Sequence, residues 1–244
     1  DPANNNVWSG EMVSTRISNF DFRYEIFGER GELISLSAFG KLFNDPIELV
    51  RIPTAQTTAE FQPRNVGDGQ VIGGEFEIRK NLALISPALE KLSFSTNVTV
   101  VYSQINMTDV ELTAREAYEK EGENIKSTRA MAGQAPYIIN AGLQYDDTKK
   151  DLSVGLFYNV KGPTLEVVGG GIFPDVYAQQ FHSLNLTLSK SFGKDGRSSI
   201  NVKASNILND VRESFYVGYQ AQDAIFSQFT PGTAFSIGYS YRFK

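Results

Sequence analysis

The last eleven residues of the chain, Thr233 to Phe243, constrain the fold more than any other stretch. Phe235, Ile237, Tyr239, Tyr241 and Phe243 take alternate positions, with Ser236, Gly238, Ser240 and Arg242 between them. A strand projects successive side chains to opposite faces, so this segment has one apolar, aromatic-ended face and one polar face. Such a strand suits the closing edge of a membrane-spanning β-barrel, which turns apolar residues to lipid and polar residues inward.

The same period recurs along the chain. At about 13–27, Phe20, Phe22, Tyr24 and Ile26 alternate with Asn19, Asp21, Arg23 and Glu25. Comparable runs fall at about 32–43, 71–79, 91–105, 135–145, 152–161 and 181–192, then around Ile200, Val202 and Ala204, and finally at the terminus. That makes nine strands. Phe39, Phe43, Val101 and Phe157 break the pattern by standing on the polar side, and Thr96 by standing on the apolar side. The connections alternate in length: short at 28–31, long at 44–70, intermediate at 80–90, long at 106–134, short at 146–151, long at 162–180, short at 193–198 and long at 209–232. Outer-membrane barrels have short periplasmic turns and long extracellular loops, so this order follows from two unlike boundaries. The loop at 106–134 should contain a helix, because Thr108 with Glu111, or Thr113 with Glu116, has capping-box spacing. Runs such as Ser214–Tyr219 suggest that the last two strands continue past the apolar band.

Composition agrees with an all-β, antiparallel up-and-down transmembrane barrel segment. At 41% hydrophobic and 21% charged residues, the chain is neither disordered nor a helical membrane protein. No apolar run approaches the ~18 residues of a transmembrane helix, whereas a barrel strand needs only about 9–11 residues, every second one apolar. Cysteine is absent, which removes disulfides, thiolate metal sites and cysteine nucleophiles. A net charge of −5 argues against nucleic acid as a partner. The opening Asp1-Pro2-Ala3 lacks a basic and an apolar leader segment, so a removed signal or an internal fragment is expected.

Several blocks resemble the C-terminal barrel portion of TonB-dependent outer-membrane receptors, particularly those of Bacteroidetes-type bacteria. They are Asn19–Glu25, Asn44-Asp45-Pro46-Ile47, Gly74–Leu82, Gly133–Leu143, Pro174-Asp175-Val176-Tyr177, Ser205–Asn209 and Phe229–Thr233. They keep the family's order over nearly the whole chain. The resemblance implies a barrel of roughly 22 strands closed by an N-terminal plug. Such a receptor imports a scarce ligand (siderophore, vitamin, glycan or peptide) with energy passed through TonB. It also implies that Phe235, Ile237, Tyr239, Tyr241 and Phe243 form the signal read by the barrel-assembly machinery, although Lys244 follows the usual aromatic last residue. Nine strands and no plug make this chain the end of a longer receptor. TonB would be reached through the absent N-terminal region, and a surface lipoprotein is a candidate partner beside outer-membrane lipid. The other readings are a small complete barrel acting as an adhesin or anchor, and a soluble β-domain that binds a partner.

No catalytic constellation is visible, so no enzyme activity and no cofactor are expected. Glu75, Glu77 and Arg79, and Asp21, Arg23 and Glu25, recur at period two and read as an ion-paired lumen wall. His182 is the only histidine, which rules out a multi-histidine metal site. Gly67-Asp68-Gly69 lacks the third glycine of a dinucleotide fingerprint, and Gly169-Gly170-Gly171 reads as a flexible extracellular loop. Glu116, Glu119, Lys120, Glu121 and Glu123 read as a solvated loop helix. Ligand contacts are expected from loop aromatics: Phe61, Tyr118, Phe173, Phe215, Tyr216, Tyr219 and Phe226.

Overall fold

The computed structural model describes residues 11–51 and 61–243. The opening Asp1-Pro2-Ala3, residues 52–60 of the long connection at 44–70, and Lys244 lie outside the described residues.

Strands β1 (Arg16–Phe27) and β2 (Leu33–Asn44) make the first hairpin, and β3 (Ile47–Arg51) and β4 (Phe61–Asn65) a small one beyond it. Strands β5 (Gly69–Asn81) and β6 (Leu92–Asn106) follow, then helix α1 (Asp109–Glu116) and the short β7 (Thr128–Arg129). Next come β8 (Tyr137–Asp147) and β9 (Leu152–Lys161), then β10 (Thr164–Val167) and β11 (Asp175–Ala178). Strands β12 (Phe181–Phe192) and β13 (Ser198–Ser205) precede β14 (Arg212–Val217) and β15 (Ala224–Phe229), and β16 (Ala234–Tyr241) comes last.

Nine of these form the wall, in the antiparallel order β1-β2-β5-β6-β8-β9-β12-β13-β16, with β7 attached to β6. They are the nine strands read from the alternation. Among the described residues β1 and β16 each leave one edge unpaired, so the sheet is an open arc. The twelve residues of β1 extend about 41 Å. Tilted by ~40°, they rise about 31 Å, enough to cross a ~25 Å apolar band.

Register carries the alternation around the arc. Tyr24, Leu36, Phe76, Val98, Ile139 and Val160 stand opposite one another in succession. One position along, Glu25, Ser35, Glu77, Asn97, Asn140 and Asn159 do the same. The first row belongs to the outer face. Away from the unpaired edges, Leu36 is 59% exposed, Ile72 56% and Val100 58%, an apolar surface of the kind that soluble monomers cover. Phe20, Val98, Leu186 and Tyr239 share this outer face and do not converge on a common core. The second row faces the lumen, where Arg23 bonds Glu25 at 2.6 Å and reaches across β2 to Glu77 at 3.0 Å. Glu77 also meets Arg79 at 3.5 Å, so Arg23, Glu25, Glu77 and Arg79 form ion pairs on this wall, while Glu75 accepts from the Thr99 hydroxyl at 3.3 Å.

Three of the residues that break the alternation have a common cause. Phe39, Phe43 and Val101 point into the lumen because loops fold in onto them: with Val50 they pack against the buried cluster of Val66, Val71, Ile105 and Met131. Phe39 lies over its cross-strand partner Gly73, where a Cβ would come 2.4 Å from the ring. Phe157 covers Gly142 and Gly155 in the same way, at 3.0 and 2.5 Å. These aromatics shield backbone that the glycines would leave bare.

The turns and loops depart from expectation in three places. Ser214–Tyr219 does not extend the wall. Wall strand β13 stops at Ser205, and most of that run lies in β14, inside a separate sheet ordered β10-β11-β14-β15. The Gly169–Gly171 run is a tight turn with Gly170 bridged to Phe173, and a Cβ at Gly169 would stand 2.4 Å from the Phe173 carbonyl oxygen. Helix α1 starts at the Thr108 cap, which accepts from the Glu111 amide at 3.3 Å, and ends at Glu116, so the charge run through Glu123 is turn rather than helix.

Candidate functional site in the extracellular loops

The long connections lie at one end of the wall, and ion pairs bind three of them, at 44–70, 106–134 and 162–180, to each other. Helix α1 places Glu111 and Arg115 one turn apart, on the same side. Arg115 bonds Glu111 at 3.1 Å and Asp175 of β11 at 2.8 Å. Glu111 in turn takes the Nε of Arg129, in β7, at 2.6 Å. Arg129 Nη1 lies 2.6 Å from Glu48 Oε2 of β3, an ion pair without hydrogen-bond geometry, and Glu48 Oε1 accepts from the Ala132 amide at 2.7 Å. At the far end Asp175 Oδ1 accepts from the Gly169 amide at 2.8 Å. One relay therefore connects four loop segments. Burial opposes the charge on Arg115, yet Asp175 and Glu111 outweigh it and hold its pKa above the ordinary arginine value. Burial likewise opposes the charge on Arg129, and Glu111 followed by Glu48 prevails. The backbone adds two bonds between β3 and the β10 loop, Arg51 N to Val168 O at 3.1 Å and Val168 N to Leu49 O at 3.3 Å.

Above the relay opens a cavity of about 710 Å³. Tyr118, Phe173, Tyr216 and Tyr219 line it with Arg51 and Lys126. Four of the seven aromatics singled out from sequence thus meet at one site. Phe61, Phe215 and Phe226 are not on its wall. Phe226 stacks edge-on against Tyr216 at 5.3 Å and Phe61 at 6.0 Å, supporting the wall from behind. Phe215 follows Tyr216's neighbour rule for a strand and faces the other way, pairing in register with Tyr177 and Ile225.

Arg51 is the residue that sequence reading missed. Its guanidinium lies 3.5 Å from the centroid of Phe173, and its Nη1 donates to the Tyr216 hydroxyl at 3.0 Å. Its Nε is buried with no acceptor. Arg115 and Arg129 were missed too, because their partners lie 60 and 18 residues away in sequence. Only the Thr108–Glu111 cap spacing hinted at an ordered helix there.

Elsewhere, His182 Nδ1 is 2.6 Å from the Tyr158 hydroxyl. Among the described residues no group of three or more His, Asp or Glu could hold a metal ion. On β16, Phe235, Ile237, Tyr239 and Tyr241 share the exposed outer face, and Phe243, just beyond the strand, stacks edge-on with Tyr241 at 4.9 Å.

Residues 11–241 match the model of the outer membrane protein beta-barrel family. No curated protein matches the sequence. Among solved structures, the ferric yersiniabactin uptake receptor FyuA from Yersinia pestis superposes with a TM-score of 0.62 at 17% identity, covering 96% of this chain and 31% of that one. The copper transporter OprC gives 0.61 at 15% identity, with 94% and 31% covered. The ferric citrate transporter FecA gives 0.58 at 15% identity, with 93% and 31% covered. At such identities the likeness is one of fold. The chain spans about a third of the length of these structures.

Proposed function

The chain belongs to the outer membrane protein beta-barrel family, and on that premise we propose that it supplies the C-terminal wall and loops of a TonB-dependent receptor, in the outer membrane of a Gram-negative cell, that imports a scarce ligand. The observation that carries this reading is the open nine-strand arc, whose polar face receives inward-folded loops around a cavity. A complete small barrel would close on itself, whereas an arc with two unpaired edges fits inside a wider wall. The fold neighbours are named as uptake proteins, which supports import as the task.

The cargo is a siderophore, vitamin, glycan or peptide that enters through the loops and passes the lumen wall unaltered. The protein performs no catalysis. TonB acts through a region outside these residues, the barrel-assembly machinery reads β16 and Phe243, and a surface lipoprotein, encoded beside the receptor, is the partner that a glycan or peptide cargo calls for. Outer-membrane lipid covers the apolar face. The test is uptake of labelled iron chelate, cobalamin, glycan and peptide by a gene-deletion strain and its parent, with and without a protonophore. Loss of energised uptake of one source is expected. Uptake of every source unchanged from the parent strain would overturn the reading.

A further inference from the structure

We propose that Arg51 and Tyr216 form an oxyanion subsite in the loop cavity, taking a carboxylate, sulfate or phosphate group on the ligand. The inference rests on the import reading and narrows its substrate class. Every other arginine on the cavity wall is neutralised: Arg115 by Glu111 and Asp175, and Arg129 by Glu111 and Glu48. Arg51 meets no carboxylate among the described residues. Its polar contacts are the backbone bond to Val168 and the bond to Tyr216, and its side chain otherwise rests on Phe173.

That setting is unusual for a structural arginine. A planar guanidinium stacked on a ring keeps its in-plane edges for acceptors. One edge position, Nη1, is used by Tyr216. The buried Nε is an unmet donor, and leaving such a group without an acceptor is unfavourable. That atom is closed off from the cavity, so an incoming oxyanion meets the Nη edge of the guanidinium, where two N–H bonds to one oxyanion are the geometry that distinguishes arginine from lysine. The Tyr216 hydroxyl accepts from Arg51, so its own proton remains to donate to the same group. Lys126 on the same wall adds a positive charge, and the rings of Tyr118 and Tyr219 flank the space for the rest of the ligand. Glu123, the one wall carboxylate outside the relay, is turned to the Lys120 amide at 3.0 Å.

The test uses the protein purified from outer membranes in detergent. Ligand-observed saturation-transfer NMR is run with benzoate and, as its uncharged counterpart, benzyl alcohol, and inorganic phosphate and inorganic sulfate, which carry no carbon-bound protons to observe, are added as competitors read by displacement of benzoate. At least one anion should bind, and benzoate should bind about tenfold more tightly than benzyl alcohol. Arg51→Gln should abolish the anion preference. Arg51→Lys, which keeps the charge and loses the fork, should retain only part of it. Tyr216→Phe, which keeps the ring, should weaken anion binding while leaving benzyl alcohol unchanged. Heat-modifiable gel migration checks that each variant is folded. Benzoate bound no better than benzyl alcohol, or Arg51→Gln binding anions as the parent does, would overturn the subsite. Anion binding lost in Arg51→Gln with no import defect in the deletion strain would leave the subsite standing and remove the import reading alone.

Discussion

Arg129→Gln is the substitution that bears hardest on how the loops are held. The Arg129 side chain is 6% exposed and that of Glu48 3%, so both charges are out of water. Removing the guanidinium leaves Glu48 with the Ala132 amide as its remaining partner and takes two bonds from Glu111, at 2.6 and 3.3 Å. Glu111 keeps Arg115, so the uncompensated charge is mainly that of Glu48. Breaking a buried pair by deleting one member costs about 3–5 kcal/mol, and the glutamine amide, which can still bond one carboxylate, puts the expectation near 3 kcal/mol. The loss is local, because the wall strands keep their ladders. At tenfold per ~1.4 kcal/mol, amide exchange from Thr128 to Gln134 should accelerate on the order of a hundredfold, while β6 and β8 amides stay within threefold. Met131 should leave its cluster with Val66, Val71 and Ile105, so the β4–β5 connection should loosen in parallel. Hydrogen exchange read by mass spectrometry in detergent micelles measures all of this. Exchange in 128–134 within threefold of the parent would refute the relay as the element that binds the loops together.

Phe157→Ala should uncover the backbone at Gly142 and Gly155 and cost roughly 2 kcal/mol, about half the value for a fully buried ring, measured by urea unfolding from lipid vesicles. An unfolding midpoint equal to the parent's would mean that the ring does not seal those glycines. Tyr177 in the loop sheet has its phenol pKa raised above 10, first by burial and then by Asp175. Because the folded value is the higher one, its contribution is complete below about pH 10 and is lost as pH rises through the folded pKa. Exchange of β10, β11 and β14 amides, corrected for intrinsic pH dependence, should therefore rise above pH 10 in the parent and stay flat in Tyr177→Phe; equal alkaline loosening in both would place the sensitive group elsewhere.

The wall could be read from sequence because its physics is local. A residue's face follows from its parity along the strand, and a turn between antiparallel neighbours lies within a few residues. The run read at 181–192 is β12, and the run at 152–161 is β9. The apparent errors were information of another kind: Phe39, Phe43 and Val101 mark where loops land in the lumen, which no period-two rule can say in advance. The loop sheet was hidden because its pairings are remote. Asp175–Ala178 pairs with Ser214–Val217 across the whole β12–β13 hairpin. For the same reason the aromatic list divides between the cavity wall and its surroundings. Tyr216 and Phe215 are sequence neighbours with equal claim as candidates, yet strand parity sends only one to the cavity. Arg51 carried no signal at all, since its environment is built by Phe173 and Tyr216, 122 and 165 residues later (173 − 51 and 216 − 51).

In a membrane barrel, lipid meets one face of the wall and water the other. These 244 residues contain no cysteine and so add no background to single spin labels at Phe20→Cys, Val98→Cys, Leu186→Cys and Tyr239→Cys, and at Glu75→Cys, Asn97→Cys and Ser236→Cys. Electron paramagnetic resonance in the outer membrane then compares collision with lipid-soluble oxygen and with a water-soluble nickel chelate. Oxygen should dominate at the first four sites and nickel at the last three, switching between Asn97 and Val98 within one residue. Nickel dominating at Val98 and Leu186, or both reagents excluded there as in a dry protein interior, would contradict the barrel.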